Sequence, residues 1–147
     1  MKKHITSFYV ETLILILVFV AVILTLTQVF GMAKKQSEEA KLLTSAVTLA
    51  QNAAEALAVS ASDSGEALLA ILDEGGNASI SNGILTASYD ADMTPDPDGL
   101  LRVEVVRETW ILSATYSKGK IRVVRSDTGA EIYSIETVAT DFEGVGE

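Results

Sequence analysis

The feature that most constrains this chain is an uninterrupted apolar run near the N-terminus that holds a single charged side chain. The run covers residues 8–30, and its one charged group is Glu11. A helix of 23 residues, at about 1.5 Å per residue, spans the hydrocarbon core of a bilayer. Because a carboxylate at mid-membrane costs on the order of 2.5–3.5 kcal/mol, Glu11 is a candidate functional residue. The alternative is an interfacial glutamate whose side chain reaches the headgroups.

The N-terminal segment could also be a cleaved secretory signal. Such a signal has an apolar region of about 7–15 residues that ends at a small-residue cleavage site. Here the run is longer and continues through Gly31 to Lys34 and Lys35 without such a site, which predicts a retained membrane segment. Lysines on both sides leave the orientation undecided by charge. We expect a single-pass cell membrane protein, with residues 1–7 as a cytoplasmic basic leader and the C-terminal domain extracytoplasmic.

Composition excludes several classes of function. Residues 36–147 hold 19 of the 20 acidic side chains, and such a surface repels phosphates, so we expect no direct binding of nucleic acid. The chain has no cysteine, which removes disulfides, thiolate metal sites and cysteine nucleophiles. Its only histidine, His4, lies in the leader, where it cannot support a catalytic triad. The sequence therefore predicts a protein that is not an enzyme and needs no cofactor.

Beyond the apolar run, the helical period continues over residues 31–60, which predicts an extracytoplasmic continuation of the same helix. We expect a domain over residues 61–140 and a flexible tail over 141–147. Within that domain a second helix is predicted from Ser64 to Leu72, with Asp63 as its N-cap and Glu66 completing a capping box. The apolar positions of the long helix recur at three- and four-residue steps: Leu43, Ala46, Val47, Ala50, Ala54, Leu57 and Ala58.

From residue 84 onward the apolar period falls to two, which indicates β-strands. The predicted strands are residues 84–89, 101–108, 111–117, 121–125 and 131–138. Lys118-Gly119 is predicted as a tight hairpin turn, and Asp127-Thr128-Gly129 as a turn with glycine in the left-handed conformation. The predicted fold class is α+β: a long N-terminal helix, membrane-spanning in its first half, packed on a small antiparallel β-meander.

This arrangement, together with the N-terminal residues 6–15 (TSFYVETLIL), resembles the type IV pilins and type II secretion pseudopilins. In that family a prepilin peptidase removes a short basic leader, and the mature chain commonly begins with phenylalanine and has glutamate fifth. In the family the cut normally follows a glycine, whereas here Phe8 follows Ser7. If the mature chain began at Phe8, Glu11 would be its fourth residue; a cut between Thr6 and Ser7 would make Glu11 the fifth residue. The later segment from Leu43 to Leu57, which contains residues 50–55 (AQNAAE), also resembles pilin-like proteins of Gram-positive gut bacteria.

The resemblance implies a pilin-like subunit, minor rather than major, of a type IV pilus or a type II secretion-like filament. It implies Thr6, Ser7 and Phe8 as the processing site and Phe8 and Glu11 as assembly residues. The implied partners are membrane lipid, a prepilin peptidase and other pilin-like subunits. The alternative is a single-pass membrane protein that does not polymerise and binds a partner through a small extracytoplasmic domain.

Four aspartates ahead of Gly99 form a further candidate site. Hard cations such as Ca²⁺ bind clustered carboxylate oxygens, and some pseudopilins bind calcium beside the sheet. The EF-hand pattern fails, because its terminal glutamate position falls on Val105, and Pro95 and Pro97 are typical of a solvated turn. A membrane-bound hydrolase that uses paired aspartates of this stretch is the third hypothesis. The four residues are Asp90, Asp92, Asp96 and Asp98.

Overall fold

The computed structural model describes residues 2–60, 65–112 and 114–140 and contains two helices and five strands in those ranges. The predicted N-cap Asp63 and the predicted tail at 141–147 lie outside the described residues. The chain divides into two compact units, Met1–Ala40 and Lys41–Glu147. The elements are α1 (Lys2–Val59), α2 (Gly65–Leu72), β1 (Ala78–Ser81), β2 (Ile84–Tyr89), β3 (Leu101–Leu112), β4 (Ala114–Arg125) and β5 (Glu131–Thr140).

The five strands form one antiparallel sheet in the order of the sequence, β1-β2-β3-β4-β5. Within the second unit, the end of α1 packs on one face of this sheet, so the predicted α+β class and the meander are confirmed. The second helix is confirmed as well, at Gly65–Leu72. α1 continues without interruption through Gly31, because no proline breaks the run and the apolar segment favours backbone hydrogen bonding within the helix.

The core lies between this part of α1 and alternate residues of the three central strands. Ala87 lies opposite Val103, and Val105 opposite Ile121, so their side chains share one face of the sheet. The residues that α1 buries are mostly alanines, which let the helix backbone approach the sheet closely. The buried core consists of Ala46, Leu49, Ala50, Ala53, Ala56, Leu57, Leu68, Leu72, Leu85, Ala87, Tyr89, Leu101, Val103, Val105, Ile121 and Val123.

The predicted helix stripe is correct in part. Ala46, Ala50 and Leu57 are buried, but Leu43 and Ala58 are exposed. Leu49, Ala53 and Ala56, which were not predicted, are buried instead. The sheet contacts the helix over a face rotated from the one predicted, because three- and four-residue steps allow several neighbouring faces and only the contact itself selects one.

Two predicted breaks between strands are wrong. Residues 109–110 lie inside β3 and do not separate two strands. Lys118-Gly119 is not a turn but lies inside β4, where Gly119 pairs with Arg107 and with Thr137. β3 and β4 are therefore a hairpin of two 12-residue strands. Gly119 serves packing and not a turn: a side chain at this position would overlap Leu57 of α1, a requirement that only the tertiary contact reveals.

The first strand, β1, was not predicted from the sequence. β1 pairs with β2 through a two-residue turn, Asn82-Gly83, in which both residues have positive φ (52° and 77°). Asn-Gly is the pair favoured in such type I′ turns, so the signal was present in the sequence. The turn at Asp127-Thr128-Gly129 is confirmed, with Gly129 at φ 69° and its N–H donating to the carbonyl of Arg125.

Candidate functional site

The apolar part of α1 presents its side chains outward on all sides. Phe8, Leu17, Phe19 and Phe30 are each about two-thirds exposed, and no residue from 5 to 40 is buried. In the described part of the chain, α1 is the one helix long and apolar enough to cross a membrane. A surface of this kind in water would be strongly unfavourable, so these side chains require lipid or another apolar surface around them.

Glu11 lies on this apolar surface. Its side chain is exposed, and it makes no hydrogen bond or ion pair with any described residue. The neighbouring Thr12 hydroxyl donates to the carbonyl of Phe8 at 2.9 Å, and the rings of Phe8 and Tyr9 meet edge to face at 6.2 Å. Glu11 is thus the one charged group between residues 8 and 30, with its hydrogen-bonding capacity unused within the described structure.

The three residues predicted as a processing site lie at the beginning of the same helix. Thr6, Ser7 and Phe8 are helical, and their side chains are exposed. Because Ser7 and Glu11 are four residues apart, they occupy one face of the helix, one turn from each other. A chain that began at Ser7 or Phe8 would therefore carry its α-amine within about one helical turn of Glu11.

The acidic stretch proposed as a calcium candidate forms a tight loop after β2, in the other compact unit. Asp90 Oδ1 accepts the N–H groups of Asp92 and Thr94 at 2.8 and 2.9 Å, and Asp96 Oδ1 accepts the N–H of Asp98 at 3.0 Å. The bonds from Asp92 and Asp98 form Asx turns, and all three bonds stabilise the loop itself. Among the described residues no group of three or more acidic or histidine side chains is arranged to hold a metal ion.

The same loop is attached to α1 by two contacts. Lys41 Nζ bonds Asp92 Oδ1, and Ser45 Oγ donates to the carbonyl of Ala91 at 3.0 Å. The hydrogen bond and the charge of Asp92 raise the pKa of Lys41 above its ordinary value. Asp90 and Asp96 thus bond the backbone of the loop, and Asp92 bonds a lysine of the helix, so these contacts hold the loop in place.

One polar residue with a clear structural role was not predicted. Asn77, between α2 and β1, is buried, and its Oδ1 accepts the N–H of Glu74 at 2.9 Å while its Nδ2 donates to the carbonyl of Ser88 at 3.1 Å. It therefore connects the end of the helical segment to β2. The sequon Asn77-Ala78-Ser79 gave no indication of this role, because a sequon indicates an exposed asparagine and this one is enclosed.

Three basic residues of β4 pair with acidic neighbours, two with residues of the adjacent strands and one with a residue of the following turn. Lys118 Nζ lies 2.9 Å from Glu136 Oε2, Arg122 bonds Glu104, and Arg125 bonds Asp127 at 2.9 Å. Lys118 lowers the pKa of Glu136, and Arg125 lowers that of Asp127, in each case chiefly through the hydrogen bond. These residues form a solvated, charge-paired surface and not a basic patch.

Comparison of the chain with protein-family models, with curated proteins and with solved structures found no match.

Proposed function

We propose that this protein is a pilin-like subunit, minor rather than major, of a type IV pilus or type II secretion-like filament. The observation that carries the proposal is Glu11, a carboxylate without a partner among the described residues, on a helix surface that is otherwise apolar and exposed. An antiparallel sheet domain on the end of the same helix accords with this function.

The proposed mechanism begins with removal of the basic leader by a prepilin peptidase at Thr6, Ser7 or Phe8. The cut creates an α-amine close to Glu11. When apolar helices of several subunits bundle and exclude water, an unpaired carboxylate is costly, and the amine of a neighbouring subunit neutralises it. The pair fixes the axial position of one subunit against the next, as a buried polar group does in a coiled coil.

Before assembly, the apolar residues 8–30 hold the subunit in the membrane with the C-terminal domain outside the cytoplasm. The sheet domain then provides the exposed surface of the filament. The acidic surface of residues 36–147 keeps these domains soluble after assembly, because like charges oppose nonspecific association.

The first test is the intact mass and N-terminal sequence of the protein from its native membranes. A mature chain that begins at Ser7 or Phe8 supports processing by a prepilin peptidase. An intact Met1-Lys2-Lys3 terminus would mean that no α-amine is created close to Glu11. That result would overturn the proposal in favour of a single-pass protein that does not polymerise.

The second test separates the effect of the charge of Glu11 from the effect of the shape of its side chain. Glu11→Gln keeps the shape of the side chain but removes the charge, and we expect it to be processed and retained in the membrane yet lost from sheared filament fractions. Glu38→Gln is the matched control, since Glu38 is a helix carboxylate outside the apolar run, near Lys34. Equal incorporation of the Glu11 variant and the control would refute the role of Glu11 in assembly.

A further inference from the structure

The unit Lys41–Glu147 contains a pocket that the proposed function does not use. The pocket lies where the later part of α1, the end of α2, the end of β2 and the loop after β2 come together, and its volume is about 320 Å³. Pockets of this size bind small ligands or single side chains. We call it the α2-end pocket.

Part of the lining of the α2-end pocket is apolar and rigid. Leu49 and Ala53 of α1 and Val103 of β3 line it, and all three are buried members of the hydrophobic core. An aliphatic chain that enters the pocket is therefore removed from water against a preformed apolar wall, which is favourable.

The lining also includes one buried polar side chain. Tyr89 is only 9% exposed, and its hydroxyl donates to the carbonyl of Leu72 over 3.5 Å, which is longer than the usual O–H···O distance of about 2.5–3.0 Å. Burial raises the pKa of Tyr89, so its phenol is neutral near pH 7. The phenol therefore makes the pocket polar at this point without adding charge.

The charge of the α2-end pocket is negative. Leu72 is the last residue of α2, and the C-terminal end of a helix carries partial negative charge. No basic residue lies in the last turn of α2, and the next two residues are Asp73 and Glu74. Glu74 is the one charged residue among the described residues that line the pocket; it is exposed and makes no ion pair with any of them. A cation at this place would be stabilised by both the helix end and the carboxylate.

We propose that the α2-end pocket binds a basic side chain, lysine or arginine, of a partner protein. The aliphatic stem of that side chain packs against Leu49, Ala53 and Val103, and its cationic group lies between the Glu74 carboxylate and the end of α2. An apolar stem that carries a cationic group matches both parts of the lining. The acidic surface of residues 36–147 attracts a basic partner to the same domain.

The surroundings of the pocket favour a protein over a free amine. Ile71 and Met93 line the pocket and are also 46% and 40% exposed, so they lie at its opening. Their exposed apolar area extends beyond what one side chain covers, and residues next to the inserted side chain would contact it. Methionine adapts to irregular partner surfaces.

Binding of a small probe tests the chemistry. Nα-acetyl-lysine amide carries the lysine side chain, and Nα-acetyl-norleucine amide keeps an apolar stem without the ammonium group. NMR of the full chain in neutral detergent follows the backbone amides of Asn52, Glu74 and Tyr89. We expect saturable shifts with the lysine probe and about tenfold weaker binding of the norleucine probe, because the charged contacts are lost. Equal binding of the two probes, or no saturable shift, would overturn the proposal.

Two exposed carboxylates of the α2 region provide matched variants. Glu74→Gln is expected to weaken binding of the lysine probe about threefold to fivefold, the effect of one exposed ion pair. Glu66→Gln is the control, since Glu66 is exposed in the first turn of α2 and does not line the pocket. If both variants bind the probe equally well, Glu74 does not hold the cation.

A third comparison distinguishes a protein from a small amine. Acetyl-Ala-Lys-Ala amide is expected to bind at least about threefold more tightly than butylammonium, because its flanking residues contact Ile71 and Met93. Equal affinities would assign the pocket to a small amine and overturn the proposed partner. None of these measurements depends on cleavage of the leader or on assembly, so failure here leaves the filament proposal standing, and failure of the filament proposal leaves the α2-end pocket.

Discussion

Leu57 of α1 lies directly against Gly119 of β4, in the space that a side chain at Gly119 would occupy. A Cβ atom built on Gly119 would overlap Cδ2 of Leu57. Leu57 is fully buried, and it is among the largest side chains of the core. The contact joins the last turns of α1 to the centre of β4. The helix therefore packs closely on the sheet at Gly119, the one position where β4 has no side chain.

Gly119→Ala is predicted to destabilise the domain by about 1–3 kcal/mol, the usual cost of overpacking a filled core. Leu57→Ala alone should cost about 2–5 kcal/mol because it leaves a cavity. The double variant should lose less stability than the two single variants added together, since the space left by Leu57→Ala accommodates the methyl group added by Gly119→Ala. Urea unfolding of the detergent-solubilised full chain, followed by far-UV circular dichroism, measures all three; simple additivity would contradict the contact.

Asn77→Ala is predicted to destabilise the domain by about 1–3 kcal/mol, because it leaves the Glu74 N–H and the Ser88 carbonyl without their side-chain partner in a partly buried place. Asn52→Ala is the matched control: Asn52 is exposed on α1, and the change should stay within about 0.5 kcal/mol. The same unfolding assay compares them. Equal stability of the two variants would show that the Asn77 bonds contribute nothing.

Stability is predicted to fall in acid as the carboxylates of two outer ion pairs are protonated. The pKa of Glu136 lies below its ordinary value of 4.5 and that of Asp127 below 3.8, because Lys118 and Arg125 hold the charged forms. A depressed folded-state pKa contributes stability above the ordinary pKa and loses it as pH falls through the folded-state pKa. The loss should therefore begin below about pH 4.5, and salt should weaken it because both groups are exposed.

Glu136→Gln tests this pH dependence, since it removes the titrating group and should flatten the acid limb of a plot of melting temperature against pH. Glu55→Gln removes an exposed carboxylate of α1 that has no cationic partner among the described residues, and it controls for net charge. If Glu136→Gln keeps the full slope while ionic strength has no effect, the ion pair is not the source of the acid sensitivity.

Calcium is predicted to leave the melting temperature unchanged. The carboxylates of Asp90 and Asp96 already accept backbone N–H bonds, and that of Asp92 pairs with Lys41, so the loop needs no ion to hold its shape. Melting curves in millimolar CaCl₂ and in EDTA provide the comparison. A stabilisation by calcium that disappears in Asp96→Asn would show that the loop binds the ion.

Most of the fold could be predicted from the sequence where a periodic signal extends over many residues. The apolar run, the α-helical continuation and the change to a period of two identify the class and the order of the elements. The strand boundaries near Lys118-Gly119 could not be predicted, because glycine there has two local explanations, a turn or a close approach, and only the packing of Leu57 distinguishes them. Asn77 was missed for a similar reason: its role depends on Ser88, eleven residues away.

By itself the sequence determined that the chain carries a long apolar segment with one carboxylate, has no cysteine and a single histidine, and continues into an acidic α+β domain. Each of these properties depends on neighbouring residues or on a sum over residues, so composition and periodicity are enough to identify it. The tertiary structure decided which face of α1 meets the sheet, that Gly119 serves packing, and that Asn77 is enclosed. Those properties depend on atoms distant in sequence that meet only after folding, and their energies come from that contact rather than from either segment alone.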